Sequence, residues 1–113
     1  LASKIPLDVI AMHFHDTRGT ALANVYAALQ LGVAKFDASS GGLGGCPYAP
    51  GATGNVGTED VLYLLHQMGI ETGVDLVKVR AASRFIAGVV DHALTSKAYQ
   101  ALEAASAASI AWM

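Results

Sequence analysis

Two runs, Val9-Ile10-Ala11-Met12-His13-Phe14-His15 and Val33-Ala34-Lys35-Phe36-Asp37, decide how this chain folds, because of what lies between them. The first is nearly continuous in apolar residues from Val9 to Phe14, the pattern of a strand buried on both faces. Between the runs, Leu22, Val25, Tyr26 and Leu29 recur at helical spacing from Ala21 to Leu31, and Gly32 stands where a helix C-terminal glycine belongs. Asp16, Thr17 and Thr20 are candidate caps for the start of that helix. Strand, helix and strand with short joints form a βαβ unit, and a helical crossover makes its two strands parallel. The fold class expected is α/β.

The ends of the two strands carry the residues with chemistry. Side chains alternate along a strand, so His13 and His15 share one face, and two imidazoles together can ligate a metal. Two surface histidines on an edge strand would give the same sequence. The second strand runs into Gly41-Gly42-Leu43-Gly44-Gly45-Cys46-Pro47-Tyr48-Ala49-Pro50-Gly51-Ala52-Thr53-Gly54-Asn55, which holds the only cysteine of the chain. Glycine lets a ligand approach the main chain closely and tolerates backbone angles that other residues avoid. In parallel α/β folds ligands bind at the carboxyl ends of the strands. Topology therefore brings His13, His15, Cys46 and Asn55 to one rim. A plain surface loop with a bystander cysteine is the competing reading.

The remaining residues read as helices. Thr58 can cap a helix whose first turn holds Glu59 and Asp60, acidic groups that suit a helix N-terminus. Val61, Leu62, Leu64, Leu65 and Met68 supply its apolar face, and Gly69 closes it. Val74 to Val90 reads as a further helix, with Leu76, Val77, Ala81, Phe85, Ile86, Val89 and Val90 on its buried side. Ala93 to Ala108 is alanine-rich and helical by propensity.

At 113 residues the chain is one domain at most. It is 53% apolar and 14% charged, with a mean hydropathy of +0.43, which is high for a small domain with much of its surface in water. Such a chain either oligomerises or buries its apolar faces against parts of a larger fold. No stretch reaches the ~18 uninterrupted apolar residues of a membrane helix, so no membrane partner is expected. A net charge of -2 and a pI near 6.0 offer no electrostatic footprint for nucleic acid. One cysteine excludes an internal disulfide. The chain starts at Leu1 and enters its first strand almost at once, without a signal peptide, and is expected to begin in the middle of a longer protein.

Together, His13-Phe14-His15-Asp16-Thr17-Arg18-Gly19, the loop Gly44-Gly45-Cys46-Pro47-Tyr48-Ala49-Pro50-Gly51-Ala52-Thr53-Gly54-Asn55, and Thr58-Glu59-Asp60 resemble hydroxymethylglutaryl-CoA lyase, from about Asp8 to about Val90. The His-x-His element is shared by a wider group of metal-dependent TIM-barrel lyases and Claisen-type synthases, and the Gly-Gly-Cys-Pro-Tyr-Ala element is far more specific. The resemblance implies a partial TIM (β/α)8 barrel in which about 8–15 and 33–38 are the last two strands. Residues 1–113 would then be the C-terminal portion of a single lyase domain, with 75–113 as its closing helices.

It further implies a divalent cation, Mg2+ or Mn2+, with His13, His15 and Asn55 matching three of the family's metal ligands and Cys46 matching its catalytic loop cysteine. The family's aspartate ligand and catalytic arginine on the first strand, and an acidic residue on the second, have no counterpart here. The implied reaction is cleavage of 3-hydroxy-3-methylglutaryl-CoA to acetyl-CoA and acetoacetate. Its partners would be an acyl-CoA substrate and a second copy in a homodimer of the full-length enzyme. Its location would be the cytoplasm of a bacterium or the mitochondrial matrix of a eukaryote. Asp16 reads as a helix cap or as support behind the metal, and Tyr48 and Thr53 as loop packing. A related acyl-CoA synthase of the same group and an inactive remnant are the alternatives; the cysteine loop argues against the synthase.

Overall fold

The computed structural model describes residues 5–45 and 54–112. Two short strands, β1 (Met12–His13) and β2 (Phe36–Asp37), pair in parallel with Met12 opposite Phe36 and His13 opposite Asp37. Helix α1 (Ala21–Gln30) crosses between them, so the expected βαβ unit is present. Asp16 is the cap of α1: its Oδ1 accepts the Ala21 N–H at 3.1 Å, whereas Thr20, at the N-cap position, makes no side-chain cap bond.

The strands are shorter than the runs that suggested them. Leu7–Val9 forms a 3₁₀ turn after Pro6, and Val9 is 63% exposed. From Val9 to His15 burial alternates: Ile10, Met12 and Phe14 are half-buried, and Val9, Ala11, His13 and His15 are exposed. The expectation of a strand buried on both faces is thereby corrected. An apolar run gains full burial only where neighbours cover both sides, and the described residues cover the Phe14 side alone. Likewise the 33–38 run narrows to Phe36–Asp37, with Val33 buried ahead of it.

The core lies between this unit and the next helix, α2 (Thr58–Gln67). Ala21, Val25, Val56, Val61 and Leu65 form its buried centre, with Phe14, Leu22, Leu29, Phe36 and Leu64 packed against it. Thr58 does not cap α2. Gly57 is the N-cap residue, without a side-chain bond, and Thr58 is the first helical residue. Glu59 and Asp60 do lie in the first turn, but each reaches to another segment. Asp60 Oδ1 accepts the Ala98 N–H at 2.8 Å, which caps the last helix, α4 (Lys97–Trp112), from outside. Burial pushes the Asp60 carboxyl above its ordinary value, with the Ala98 and Ser96 bonds pulling it partly back.

Helix α3 (Leu76–Ala87) is N-capped by Asp75, whose Oδ1 accepts the Val77 and Lys78 N–H groups at 2.9 and 3.3 Å. Its expected buried side is corrected. Val77, Ala81, Phe85 and Val89 are exposed, Phe85 by 75%, whereas the neighbouring stripe through Leu76, Val79, Arg80, Ser83 and Ile86 faces the protein and Ser83 is fully buried. Hydrophobic spacing tells which stripe is apolar; which stripe is covered depends on where the neighbours stand. Arg80 Nε lies 3.4 Å from Glu103 Oε1, joining α3 to α4. No helix among the described residues is long and apolar enough to cross a membrane.

Candidate active site

The site is built where the two strands end. The segment Gly54–Thr58, returning from the glycine loop, enters between them. On one side it pairs antiparallel with the first strand's end: the Asp16 N–H donates to the Gly54 carbonyl at 2.8 Å, the Val56 N–H donates to the Phe14 carbonyl at 3.2 Å, and His15 stands opposite Asn55. On the other side it runs parallel to the second strand's end: the Ser39 N–H donates to the Val56 carbonyl at 3.0 Å and the Thr58 N–H to the Ser39 carbonyl at 2.8 Å. Five residues thus join both strand ends and carry Asn55 to His15.

His13 and His15 lie on one face, with ring centroids 5.2 Å apart and planes inclined by 53°. His13 Nδ1 is 3.5 Å from Asp37 Oδ2, its partner in the strand register. A carboxylate at Nδ1 favours the tautomer that leaves Nε2 as the free lone pair, a common arrangement behind a ligating imidazole. The sequence alone marks no role for Asp37 beyond its place in the second strand. The signal is its place opposite His13 once two parallel runs are aligned end to end.

Asn55 donates through Nδ2 to the Leu43 carbonyl at 3.1 Å. With the amide nitrogen engaged, the oxygen is the atom available to a ligand. Two imidazoles and one amide oxygen suit a divalent cation of borderline to hard character. Among the described residues no group of three or more His, Cys, Asp or Glu side chains converges as a metal site. Cys46 lies outside the described residues, as do Tyr48 and Thr53.

The root of the glycine loop is described and tightly held. Gly41 has φ +63°, and a Cβ there would stand 2.5 Å from Leu94 Cδ1. Gly54 is packed so closely on the Gly44 carbonyl that a Cβ would overlap it. The two limbs of the loop therefore approach backbone to backbone at their base. In the whole-length protein, Gly54→Ala should lower stability by about 1–3 kcal/mol, the usual cost of overpacking. An unchanged denaturant midpoint would show that this contact yields freely. A cleft of about 430 Å³ opens beside the same root, lined by Gly42, Gly44, His92 and Thr95.

The model of the HMGL-like family matches residues 1–86. The chain belongs to the HMGL-like family. Its relatives include the hydroxymethylglutaryl-CoA lyase of Bacillus subtilis, 53% identical over 100 residues that make up 88% of this chain and 33% of the relative. Among solved structures, the hydroxymethylglutaryl-CoA lyase of Pseudomonas aeruginosa aligns with a TM-score of 0.88 at 54% identity, covering 91% of this chain and 34% of that one. An HMG-CoA lyase of Acinetobacter baumannii, solved in complex with coenzyme A and 3-methylmalate, aligns with a TM-score of 0.81 at 43% identity, covering 88% of this chain and 33% of that one. The chain spans about a third of the length of the relatives it matches.

Proposed function

We propose that these residues form the closing part of a divalent-metal-dependent carbon–carbon lyase that cleaves 3-hydroxy-3-methylglutaryl-CoA to acetyl-CoA and acetoacetate. The observation that carries this reading is that His13 and His15 share one face at a strand end of an HMGL-like chain and that Asn55 pairs with His15 through the backbone. The two parallel strands are consistent with part of a barrel, of which β1 and β2 would be the last pair.

His13, His15 and Asn55 would hold the cation, Mg2+ or Mn2+, with ligands from outside this chain completing the shell. When bound, the cation supplies Lewis-acid polarisation of the substrate's hydroxyl and carbonyl oxygens. Asp37, 3.5 Å from Nδ1, would favour the His13 tautomer with Nε2 free, and the Leu43 carbonyl holds the Asn55 amide. In the reaction a base takes the proton of the tertiary hydroxyl. The O–H electron pair becomes the second bond of the new ketone, the carbon–carbon bond breaks, and its pair passes to the acetyl-CoA enolate. Cys46 gives its thiol proton to the enolate carbon. A thiol with an ordinary pKa of about 8.5 is a suitable donor near neutral pH.

The test is acetoacetate release from 3-hydroxy-3-methylglutaryl-CoA by the whole-length protein, before and after chelation. Turnover that disappears with EDTA and returns with Mg2+ or Mn2+ is expected. Residues 1–113 alone, lacking a counterpart to the family's arginine and aspartate, should release none. Full activity after exhaustive chelation would refute the metal dependence, and absence of acetoacetate from the whole-length protein would refute the reaction.

A further inference from the structure

Glu59 is the largest fully buried side chain of the described residues, with no exposed surface, and nothing in the proposed chemistry uses it. Its Oε1 accepts the Gly41 N–H at 2.8 Å in a buried bond, and its Oε2, also buried, has no hydrogen-bond partner among the described residues. A carboxylate removed from water with one oxygen unsatisfied is costly, and its bond to Gly41 fixes where that partner sits.

That partner is the middle residue of the turn Ser40–Gly42, in which the Gly42 N–H donates to the Ser39 carbonyl at 2.9 Å and the Leu43 N–H to the Ser40 carbonyl at 3.1 Å. The Gly41 carbonyl accepts the Thr95 and Ser96 N–H groups at 3.1 and 3.0 Å. Gly41 is thus gripped from two sides, by α2 through Glu59 and by the approach to α4. The turn delivers the Leu43 carbonyl, which is the acceptor for Asn55 Nδ2. A continuous path of hydrogen bonds and backbone joins Glu59 to the amide of Asn55.

We infer that Glu59 is a positioning residue for Asn55: by holding Gly41 it sets the Leu43 carbonyl, which turns the Asn55 amide so that its oxygen, not its nitrogen, faces His15. This rests on the reading of Asn55 as a cation ligand. The acceptor oxygen does the work and the charge does not. Glu59→Gln keeps an acceptor for Gly41, and its amide nitrogen takes the place of an oxygen that already lacks a partner.

The probe is Mn2+ binding to the whole-length protein, read by the loss of free Mn2+ signal in electron paramagnetic resonance, without substrate. Glu59→Ala should weaken Mn2+ binding by about 10- to 100-fold, the scale found for support behind metal ligands. Glu59→Gln should stay within about threefold of wild type. Asn55→Ala should weaken binding, and adding Glu59→Ala to it should weaken it little further, because residues acting through one group are not additive. If Asn55→Ala leaves binding intact, the ligand reading falls and this inference with it. If Asn55→Ala weakens binding but Glu59→Ala does not, only the positioning role falls. Loss of binding in folded Glu59→Gln equal to that in Asn55→Ala would show that charge is required and overturn the inference. Should Glu59→Ala fail to fold, Glu59→Asp, which withdraws the carboxylate by one methylene, takes its place under the same criteria.

Discussion

Replacing His13 by alanine in the whole-length protein should lower the kcat/KM of the proposed reaction by about 10²- to 10³-fold and weaken Mn2+ binding in parallel. The proposed cation would contribute several kcal/mol of transition-state stabilisation as a Lewis acid, and each 1.36 kcal/mol is tenfold in rate. His13 carries the effect for two reasons. Among the described residues it is one of two imidazoles at the strand end, 5.2 Å from the other, and the one with a carboxylate, Asp37, at its second ring nitrogen. Its side chain is exposed, so removing it should leave the fold intact, and a normal thermal transition in the variant separates lost ligation from lost structure. Wild-type Mn2+ affinity in folded His13→Ala would show that the pair on β1 is a surface feature and would end the metal assignment.

Replacing Cys46 by alanine should lower kcat by about 10²-fold or more, the lower bound set by the usual contribution of a positioned general acid. Mn2+ affinity should stay unchanged, because the thiol is assigned a proton and not a coordination bond. The two substitutions therefore leave different signatures: His13→Ala loses cation and turnover together, and Cys46→Ala loses turnover alone. Exchange offers a second readout. With the proton donor gone, the enolate should persist longer, and incorporation of solvent deuterium into the acetyl-CoA methyl group should change relative to turnover. Turnover at the wild-type rate in Cys46→Ala, or loss of the cation with the thiol, would contradict the role.

The local chemistry of this chain was legible because it depends on short-range rules. Period-two alternation put His13 and His15 on one face, and the βαβ spacing made β1 and β2 parallel. Asp16 was readable as a cap and Gly69 as a helix end. What could not be read depended on neighbours. The Val9–Phe14 run looks buried on both faces because composition records apolarity, while burial requires a covering surface, and Val9 and Ala11 have none. The same limit misassigned α3, where Val77 and Phe85 are as apolar as a core face requires and yet lie outside the covered stripe.

Glu59 shows the limit most sharply. In the sequence it is an acidic residue in a first helical turn, where an acidic group always has a plausible reason to be. Only in three dimensions does it leave its own helix and hold Gly41. By itself the sequence determined the family, the parallel unit and the placing of His13 and His15 on one face, since these follow from side-chain identity and backbone periodicity. The tertiary structure alone decided that Asn55 reaches His15 by insertion of Gly54–Thr58 between two strand ends, and that a buried carboxylate anchors the turn behind it. Both are contacts between residues far apart in the chain, and no local rule encodes them.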